Sequence, residues 1–292
     1  MAIFEGSGVA IITPFKNGEI DYDALRGHLE WQIGEGTDAI VSCGTTGEAS
    51  TLTDDEQIDV IRFTVDVVKR RVPVIAGVGS NFTEHGLELT KRAEAAGANA
   101  LLHVTPYYNK ASRKGLIEHF KIMAEGTSLP MLLYSVAGRT GMNIEPSVCE
   151  ELAAVKNIVG VKEASGNISQ VVEIARRSPE GFDMYSGNDD MIVPLLSVGG
   201  KGVISVLANV APRDTHDMVR KFLDGDVKGS YEIQLRAKPL IDALFIEVNP
   251  IPVKAALFMM GKCEYEYRMP LCRMDETNYA KLQKEMEAYG LL

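Results

Sequence analysis

The stretch AIVSCGTTGEASTLTDDEQIDVIRFTVDVVKRRVPVIAGV, residues 39–78, contains one complete strand–helix–strand unit. It begins with the apolar run Ala39–Cys43, continues through the amphipathic segment Asp54–Lys69 and ends with a second apolar run, Pro73–Val78. Short runs rich in Val, Ile and Leu are typical of parallel strands buried on both faces. The segment between them opens with acidic residues and ends with basic ones, which favours a helix.

The same alternation continues through most of the chain. Apolar runs predict eight strands, at Gly8–Ile12, Ala39–Cys43, Pro73–Val78, Ala100–Val104, Pro130–Tyr134, Ile158–Lys162, Phe182–Ser186 and Gly202–Val206. Amphipathic patterns predict helices between them, including Asp21–Gly34, Asp54–Lys69, Thr83–Ala96 and Pro212–Leu223. Eight strand–helix units predict an α/β fold, the (β/α)8 TIM barrel, which takes about 250 residues. We expect a barrel catalytic domain at residues 1–225 and a C-terminal helical extension at residues 226–292.

An open doubly wound sheet is the main rival architecture, because it also alternates strands with helices. Its GxGxxG fingerprint should follow the first strand. No such motif occurs there, and Gly77-Val78-Gly79 lacks the third glycine and follows the third predicted strand.

Composition excludes several classes of function. The 292 residues carry 30 Lys+Arg and 40 Asp+Glu, a net charge of -10, which argues against nucleic-acid and membrane-surface partners. The one short basic cluster, Lys69-Arg70-Arg71, lies at a predicted helix end, where cations favour the helix dipole. The chain has neither a signal-peptide pattern nor a long uncharged apolar run, so we expect a cytoplasmic protein. The four cysteines and five histidines show no metal-type spacing, so we expect reduced thiols and no metal.

A lysine at the end of a predicted strand is the sharpest chemical signal. Active sites of TIM barrels lie at the C-terminal ends of the strands. Lys162 ends the apolar run Ile158–Lys162, and a desolvated lysine amine is a candidate Schiff-base nucleophile. The alternative is a lysine that reaches solvent or pairs with a carboxylate. Lys254 is a second candidate, although the prolines of Asn249-Pro-Ile-Pro-Val-Lys254 suggest a rigid connection at a helix start.

Other strand ends carry polar groups with two possible interpretations. Thr45 and Thr46 lie between glycines and are suited to bind a carboxylate, or they form a plain turn. Tyr134 is suited to proton transfer and Arg139 to bidentate carboxylate binding, or they serve packing and solvation. The glycines around the eighth strand, at 199–202, suit a phosphate site or close backbone packing.

The motifs GTTGE, TPYYN, GRTG, VKEASGN, SGNDD, GGKGVISV and NPIPVK occur in this order across nearly the whole chain. Together they closely resemble the dihydrodipicolinate synthase family, within the pyruvate-dependent Schiff-base aldolases that also include N-acetylneuraminate lyase. The resemblance implies condensation of pyruvate with L-aspartate 4-semialdehyde to 4-hydroxy-tetrahydrodipicolinate, in diaminopimelate and lysine biosynthesis. It implies no metal and no dissociable cofactor.

Three alternatives remain open beside that resemblance. One is another class I aldolase of the same superfamily, acting on a sialic acid or a 2-keto-3-deoxy sugar acid, for which an arginine at position 139 is not required. A non-catalytic keto-acid-binding barrel would be expected to lack Lys162 or Tyr134, and both are present. A phosphate-binding barrel enzyme is suggested only by the late glycines.

The resemblance also implies a role for each matching residue. Lys162 would form the imine with pyruvate, and Tyr134 would move protons over it. Thr45 would relay protons between Tyr134 and Tyr108, the latter reaching in from a neighbouring subunit. A site completed in this way needs at least a dimer, and the resemblance suggests a tetramer made of two tight dimers.

Substrate binding falls to a second set of positions. Thr46 would hold the carboxylate of pyruvate, and Arg139 would bind the carboxylate of aspartate semialdehyde. Gly187 and Ile204 match positions where family members bring main-chain atoms close to the site. The tripeptide Ser135-Val136-Ala137 replaces the Asn-Val-Pro common in the family, which frees a φ angle and restores an N–H close to Arg139.

A possible regulatory pocket shows further departures from the family. Enterobacterial members bind lysine at the subunit interface with a serine, two histidines and a glutamate. The matching positions here are Ala49, Asp54, Gln57 and His85, whereas Asn81 and Tyr107 are kept. We therefore expect weak or absent inhibition by lysine.

Overall fold

Eight parallel strands close into a barrel in the computed structural model, which describes residues 2–292. The barrel strands are β1 Gly6–Ala10, β4 Ala39–Ser42, β5 Val74–Gly77, β6 Ala100–Val104, β7 Met131–Ser135, β8 Ile158–Glu163, β9 Asp183–Ser186 and β10 Gly202–Ser205. Each pairs in parallel with its neighbours in chain order, and β1 closes the ring by pairing with both β4 and β10. The TIM barrel is confirmed, and the open sheet is excluded.

Helices follow the barrel strands, and half of them begin at a side-chain cap. The helices are α1 Tyr22–Gly34, α2 Asp54–Val68, α3 Thr83–Ala95, α4 Arg113–Glu125, α5 Ala137–Thr140, α6 Pro146–Leu152, α7 Ile168–Arg177, α8 Ile192–Leu196, α9 Pro212–Leu223, α10 Val227–Leu244, α11 Ile251–Met259 and α12 Glu276–Tyr289. Asp21 caps α1 by accepting from the N–H of Ala24. Thr53 and Glu56 form a capping box on α2.

All eight predicted strands are present, with ends that differ by at most two residues from the prediction. The first strand shows the largest shift, from the predicted Gly8–Ile12 to Gly6–Ala10. The Asp38 carboxylate lies so close to Gly6 that an added Cβ would be 2.1 Å from it, so only glycine fits there. The apolar pattern hides this strand start because glycine carries no hydrophobic signal.

A small hairpin was not predicted. Strands β2 Phe15–Lys16 and β3 Glu19–Ile20 pair antiparallel around Asn17-Gly18. Both turn residues have positive φ, 55° and 84°, as a type I′ turn requires. The Asn-Gly pair was therefore a usable signal in the sequence.

The interior of the barrel is closed at its N-terminal end. Phe4 stacks on Tyr185 of β9 with 4.5 Å between ring centroids, and the Tyr185 hydroxyl donates to the Phe4 carbonyl at 2.7 Å. Around them, side chains of most barrel strands form one apolar cluster that includes Val41, Leu132 and Ile204. The plugged end leaves the C-terminal ends of the strands as the open mouth of the barrel.

The C-terminal segment is helical, as predicted. Helix α9 ends at Leu223, and α10, α11 and α12 follow. Their buried residues share one apolar cluster with the barrel, in which Leu240 and Leu257 join Ile12 and Val203. We propose that residues 226–292 extend the barrel of residues 1–225 and fold onto it through this shared core. No helix between residues 2 and 292 is both long and apolar enough to cross a bilayer.

Candidate active site

Lys162 and Tyr134 lie side by side at the mouth of the barrel. Tyr134 of β7 and Lys162 of β8 are direct partners in the parallel register. The Lys162 side chain is buried, and its Nζ lies 4.2 Å from the centroid of the Tyr134 ring. A strand lysine buried against a phenol ring has the surroundings expected of a nucleophilic amine next to a proton carrier.

Space around Lys162 depends on a missing side chain at position 187. A Cβ added to Gly187 would lie 3.2 Å from Lys162 Cε and 2.6 Å from Ala164 Cβ. The Gly187 N–H donates to the Glu163 carbonyl at 2.7 Å, which fixes the backbone there. Ile204 is fully buried within the interior cluster of the barrel.

A buried carboxylate near Lys162 was not singled out from the sequence. Asp189 accepts from the Ser205 hydroxyl at 2.6 Å and from the N–H groups of Val206 and Leu207 at 3.1 and 2.8 Å. Burial raises the pKa of Asp189, whereas these hydrogen bonds and the charge of Lys162 oppose that rise. The SGNDD motif contained this residue, but nothing in the motif distinguishes a buried aspartate from an exposed one.

The loop after β4 presents two threonine hydroxyls. Thr46 is buried, and its hydroxyl accepts from Asn249 Nδ2 at 2.9 Å. The Thr13 hydroxyl donates to the Gly47 carbonyl at 2.7 Å. Thr45 is half-buried and faces the cavity at the barrel mouth. The interpretation as a plain turn is therefore incomplete, since the loop is tied to two other parts of the chain.

Arg139 lies on the short helix α5, between Gly138 and Gly141. Ala137 is the first residue of α5, and the N–H of Arg139 donates to the Val136 carbonyl at 2.9 Å. The first position of a helix tolerates proline and alanine alike, because its N–H has no partner within the helix. The change to Ala137 is thus compatible with this helical turn. The exposed guanidinium donates to the Asn249 carbonyl at 3.0 Å and keeps its other N–H groups available.

One cavity of about 410 Å³ connects the mouth of the barrel with the possible regulatory residues. Thr45, Tyr134 and Arg139 line it, together with a second group of residues, namely Ala49, Asp54, Gln57, His85 and Tyr107. His85 Nε2 lies 3.0 Å from the Asp54 carboxylate, and Asn81 donates to the Tyr107 carbonyl at 3.1 Å. The residues that line this cavity do not include Lys162, Thr46, Gly187 or Ile204.

Tyr108 projects away from the cavity of its own chain. Its side chain is 94% exposed, and its backbone has a positive φ of 71°. Tyr107 and Phe82, two other large side chains of this region, are also exposed. A residue in this position has no contact with Lys162 or Tyr134 of the same chain, so any role in their chemistry requires another subunit.

The amine of Lys254, the second candidate nucleophile, is occupied by an ion pair with a carboxylate. Its side chain is fully buried, and its Nζ lies 2.6 Å from the equally buried Glu48 carboxylate. Burial lowers the pKa of Lys254 and raises that of Glu48, and their attraction opposes both shifts. The sequence indicated a helix start close to this lysine, and the structure shows it in α11, Ile251–Met259. Its carboxylate partner, 206 positions away, was not predicted. Between residues 2 and 292 no cluster of three or more His, Cys, Asp or Glu side chains is arranged to hold a metal ion.

Comparison with known proteins agrees with this geometry along the whole chain. The Dihydrodipicolinate synthetase family matches residues 3–289. The 4-hydroxy-tetrahydrodipicolinate synthase of Acetivibrio thermocellus is 56% identical over 290 residues, covering 99% of each chain. That of Caldicellulosiruptor bescii is 55% identical, covering 100% of this chain and 99% of the other. The crystal structure of dihydrodipicolinate synthase from Thermotoga maritima has a TM-score of 0.98 at 42% identity, with 100% of both chains covered. The chain therefore belongs to the dihydrodipicolinate synthetase family.

Proposed function

We propose that this protein condenses pyruvate with L-aspartate 4-semialdehyde to 4-hydroxy-tetrahydrodipicolinate, a step of diaminopimelate and lysine biosynthesis. The observation that carries the proposal is the amine of Lys162, buried against the ring of Tyr134 at the barrel mouth. The relatives that share 55–56% identity over the full chain bear the name of this activity. The enzyme is accordingly a lyase that works through a Schiff base.

The first half of the reaction activates pyruvate. The Nζ of Lys162 attacks the C2 carbonyl, water leaves and a protonated imine forms. The imine draws electrons from the neighbouring methyl group, so a methyl proton leaves and an enamine results. Tyr134, whose ring centroid lies 4.2 Å from Nζ, is proposed to carry these protons. Thr46 is proposed to hold the pyruvate carboxylate, and a solved relative from Acinetobacter baumannii, 39% identical, is described in complex with pyruvate.

The second half forms the carbon–carbon bond and closes the ring. The enamine carbon attacks the aldehyde of aspartate semialdehyde, and the resulting alkoxide takes a proton. The amine of this substrate then attacks the imine carbon and displaces the Lys162 amine, which returns to its starting state. The imine itself serves as the electron sink, so the proposed chemistry requires no metal and no dissociable cofactor.

Arg139 is proposed to select the second substrate. Its guanidinium lies on the cavity wall, and its contact with the Asn249 carbonyl uses only part of its donors. A guanidinium binds a carboxylate through two parallel hydrogen bonds, which favours aspartate semialdehyde over sugar aldehydes that lack this group.

Completion of the site is proposed to require a second subunit. Tyr108 is exposed in its own chain and would supply the far end of the relay through Thr45 and Tyr134. We propose at least a dimer, and a tetramer of two such dimers as the full assembly. One solved relative, 42% identical, is described as a monomeric variant. Sedimentation of the purified protein checks this proposal, and an active monomer contradicts it.

Weak or absent inhibition by lysine is proposed from the cavity lining. The Asp54 carboxylate is already paired with His85, and Ala49 offers no side-chain hydrogen bond to a ligand. A relative from Cyanidioschyzon merolae, 39% identical, has been solved with lysine bound. Half-inhibition of this enzyme at sub-millimolar lysine would contradict the proposal.

The proposed activity is tested by comparing substrates at fixed pyruvate. We expect turnover with aspartate semialdehyde and little or none with N-acetylmannosamine or a sugar-acid aldehyde. Faster turnover with either sugar substrate would overturn the assignment in favour of another class I aldolase.

The cytoplasm is the proposed location, since the four cysteines are free thiols and suit a reducing compartment.

A further inference from the structure

A buried ion pair joins the C-terminal extension to the loop that carries Thr45 and Thr46. Lys254 of α11 and Glu48 at the end of this loop are both fully buried, with 2.6 Å between Nζ and the carboxylate. The rings of Phe15 and Tyr267 flank the ammonium, 4.3 and 5.0 Å from Nζ to their centroids. Taking two charges out of water is costly, and buried pairs are often no better for stability than apolar residues of similar size. This pair therefore calls for a reason other than stability.

The loop beside the pair is conformationally strained at both ends. Cys43 and Glu48 have positive φ, 57° and 54°, a region that residues other than glycine and asparagine seldom adopt. Such strain persists only where the surroundings enforce it. At the first end the enforcing contact is Gly77, whose backbone packs so close that an added Cβ would lie 2.4 Å from the Cys43 carbonyl oxygen. At the second end Glu48 is held by its N–H, which donates to the Thr45 carbonyl at 3.1 Å, and by the salt bridge from its side chain to Lys254.

The same short segment of the extension touches the loop a second time. Asn249 lies five positions before Lys254, and its Nδ2 donates to the Thr46 hydroxyl at 2.9 Å. The Lys254 N–H donates to the Pro250 carbonyl at 3.1 Å, which links the two contact points through the first turn of α11. Residues 249–254 thus hold the loop at its middle and at its end.

We propose that Glu48 and Lys254 are a positioning pair that keeps the loop 43–48 in the conformation needed to bind the carboxylate of pyruvate. Neither residue lines the cavity or contacts Lys162, so the pair acts through Thr46 rather than on the reacting atoms. The proposal rests on the proposed function, because it assigns the carboxylate of pyruvate to Thr46. It predicts a defect in pyruvate binding and imine formation that spares the site of the second substrate around Arg139.

Two variants distinguish an effect on the position of the loop 43–48 from the effect of leaving one buried charge unpaired. Lys254→Met leaves the Glu48 carboxylate buried without its partner, so this variant is expected to lose thermal stability as well as pyruvate affinity. The double variant Glu48→Gln/Lys254→Met has no unpaired buried charge and is expected to recover most of the stability. Lys238→Met is the matched control, because it also removes a lysine from an ion pair. The pair of Lys238 with Asp242 is exposed, joins neighbouring turns of one helix and lies outside the site.

The measurements are the KM for each substrate, kcat, the thermal midpoint and the rate of borohydride trapping with pyruvate. For the double variant we expect a pyruvate KM raised about tenfold or more, slower trapping, and a KM for aspartate semialdehyde within about twofold of wild type. The control variant should match wild type in all of them.

Three results would overturn the proposal: a double variant with the wild-type pyruvate KM, an equal rise in both KM values, or a double variant that fails to fold. Failure of the proposed function gives a different result, because the wild-type protein would then show no pyruvate-dependent trapping on Lys162.

Discussion

Replacing Gly187 by alanine should disturb Lys162 through a single added methyl group. The new Cβ would lie 3.2 Å from Lys162 Cε, 3.1 Å from the Glu163 carbonyl oxygen and 2.6 Å from Ala164 Cβ. Carbon atoms in contact normally lie about 3.5–4.0 Å apart. The lysine must therefore move by about 0.3 Å or more, and Ala164 by about 0.9 Å, relative to that normal contact distance.

These displacements set the size of the expected effect. Forcing an extra methyl group into a packed site costs about 1–3 kcal/mol. For a chain of this size, each kcal/mol lowers the thermal midpoint by about 2–4 °C. A misplacement of about 1 Å can slow a reaction about a hundredfold, so a shift of a few tenths of an ångström should slow imine formation about tenfold.

The assay is the rate of borohydride-trapped adduct formation with pyruvate, measured beside the thermal midpoint. Gly27→Ala is the matched control, because no atom lies within 4 Å of the Cβ it would add in helix α1. That control should retain wild-type trapping and gain about 0.5–1 kcal/mol of stability. If Gly187→Ala forms the trapped adduct at the wild-type rate, Lys162 does not need the space left by the missing side chain at position 187.

Three further predictions concern the two substrates and pH. Arg139→Ala should raise the KM for aspartate semialdehyde about tenfold to a hundredfold, since charged hydrogen bonds contribute about 1.5–3 kcal/mol; a collapse of pyruvate trapping in this variant would disprove the role of Arg139. Tyr134→Phe should slow exchange of the pyruvate methyl protons, followed by NMR, about a hundredfold or more, and unchanged exchange would exclude Tyr134 as the proton carrier. The hydrogen bond to Asp38 at 2.8 Å raises the pKa of His216 in the folded chain. Its stabilising contribution is therefore complete below about pH 6.5 and is lost as the pH rises through the higher folded value. The difference in thermal midpoint between wild type and His216→Asn should accordingly shrink from pH 6 to pH 8.5, and a difference that grows would contradict this assignment.

The alternation of short apolar runs and amphipathic segments was sufficient to predict the barrel. A strand buried on both faces needs an unbroken apolar run, so Ala100–Val104 was predicted with the bounds that the structure shows. Helix α9 was predicted at its observed bounds, Pro212–Leu223, and it begins with a proline at its first position, where this residue is favoured. The start of β1 was missed because its first residues, Gly6-Ser7-Gly8, carry no hydrophobic signal.

Site residues were predictable from the sequence where a reactive side chain lies at the end of a strand. Lys162 was recognisable because a charged residue ends an otherwise apolar strand, and its neighbour Tyr134 ends the preceding one. The contacts of Asn249 with Thr46 and Arg139 were not predictable, because they join positions 203 and 110 residues apart. Lys254 shows the same limit, since its sequence environment suggested a reactive amine and only the fold reveals its carboxylate partner.

The proposed reaction depends on a covalent imine between the amine of Lys162 and pyruvate. The most direct measurement is borohydride reduction of the protein in the presence of pyruvate, followed by mass mapping of the modified peptide. We expect one pyruvate-derived adduct per chain, on Lys162, and none without pyruvate or in Lys162→Ala. An adduct on Lys254, or no adduct at all, would contradict it.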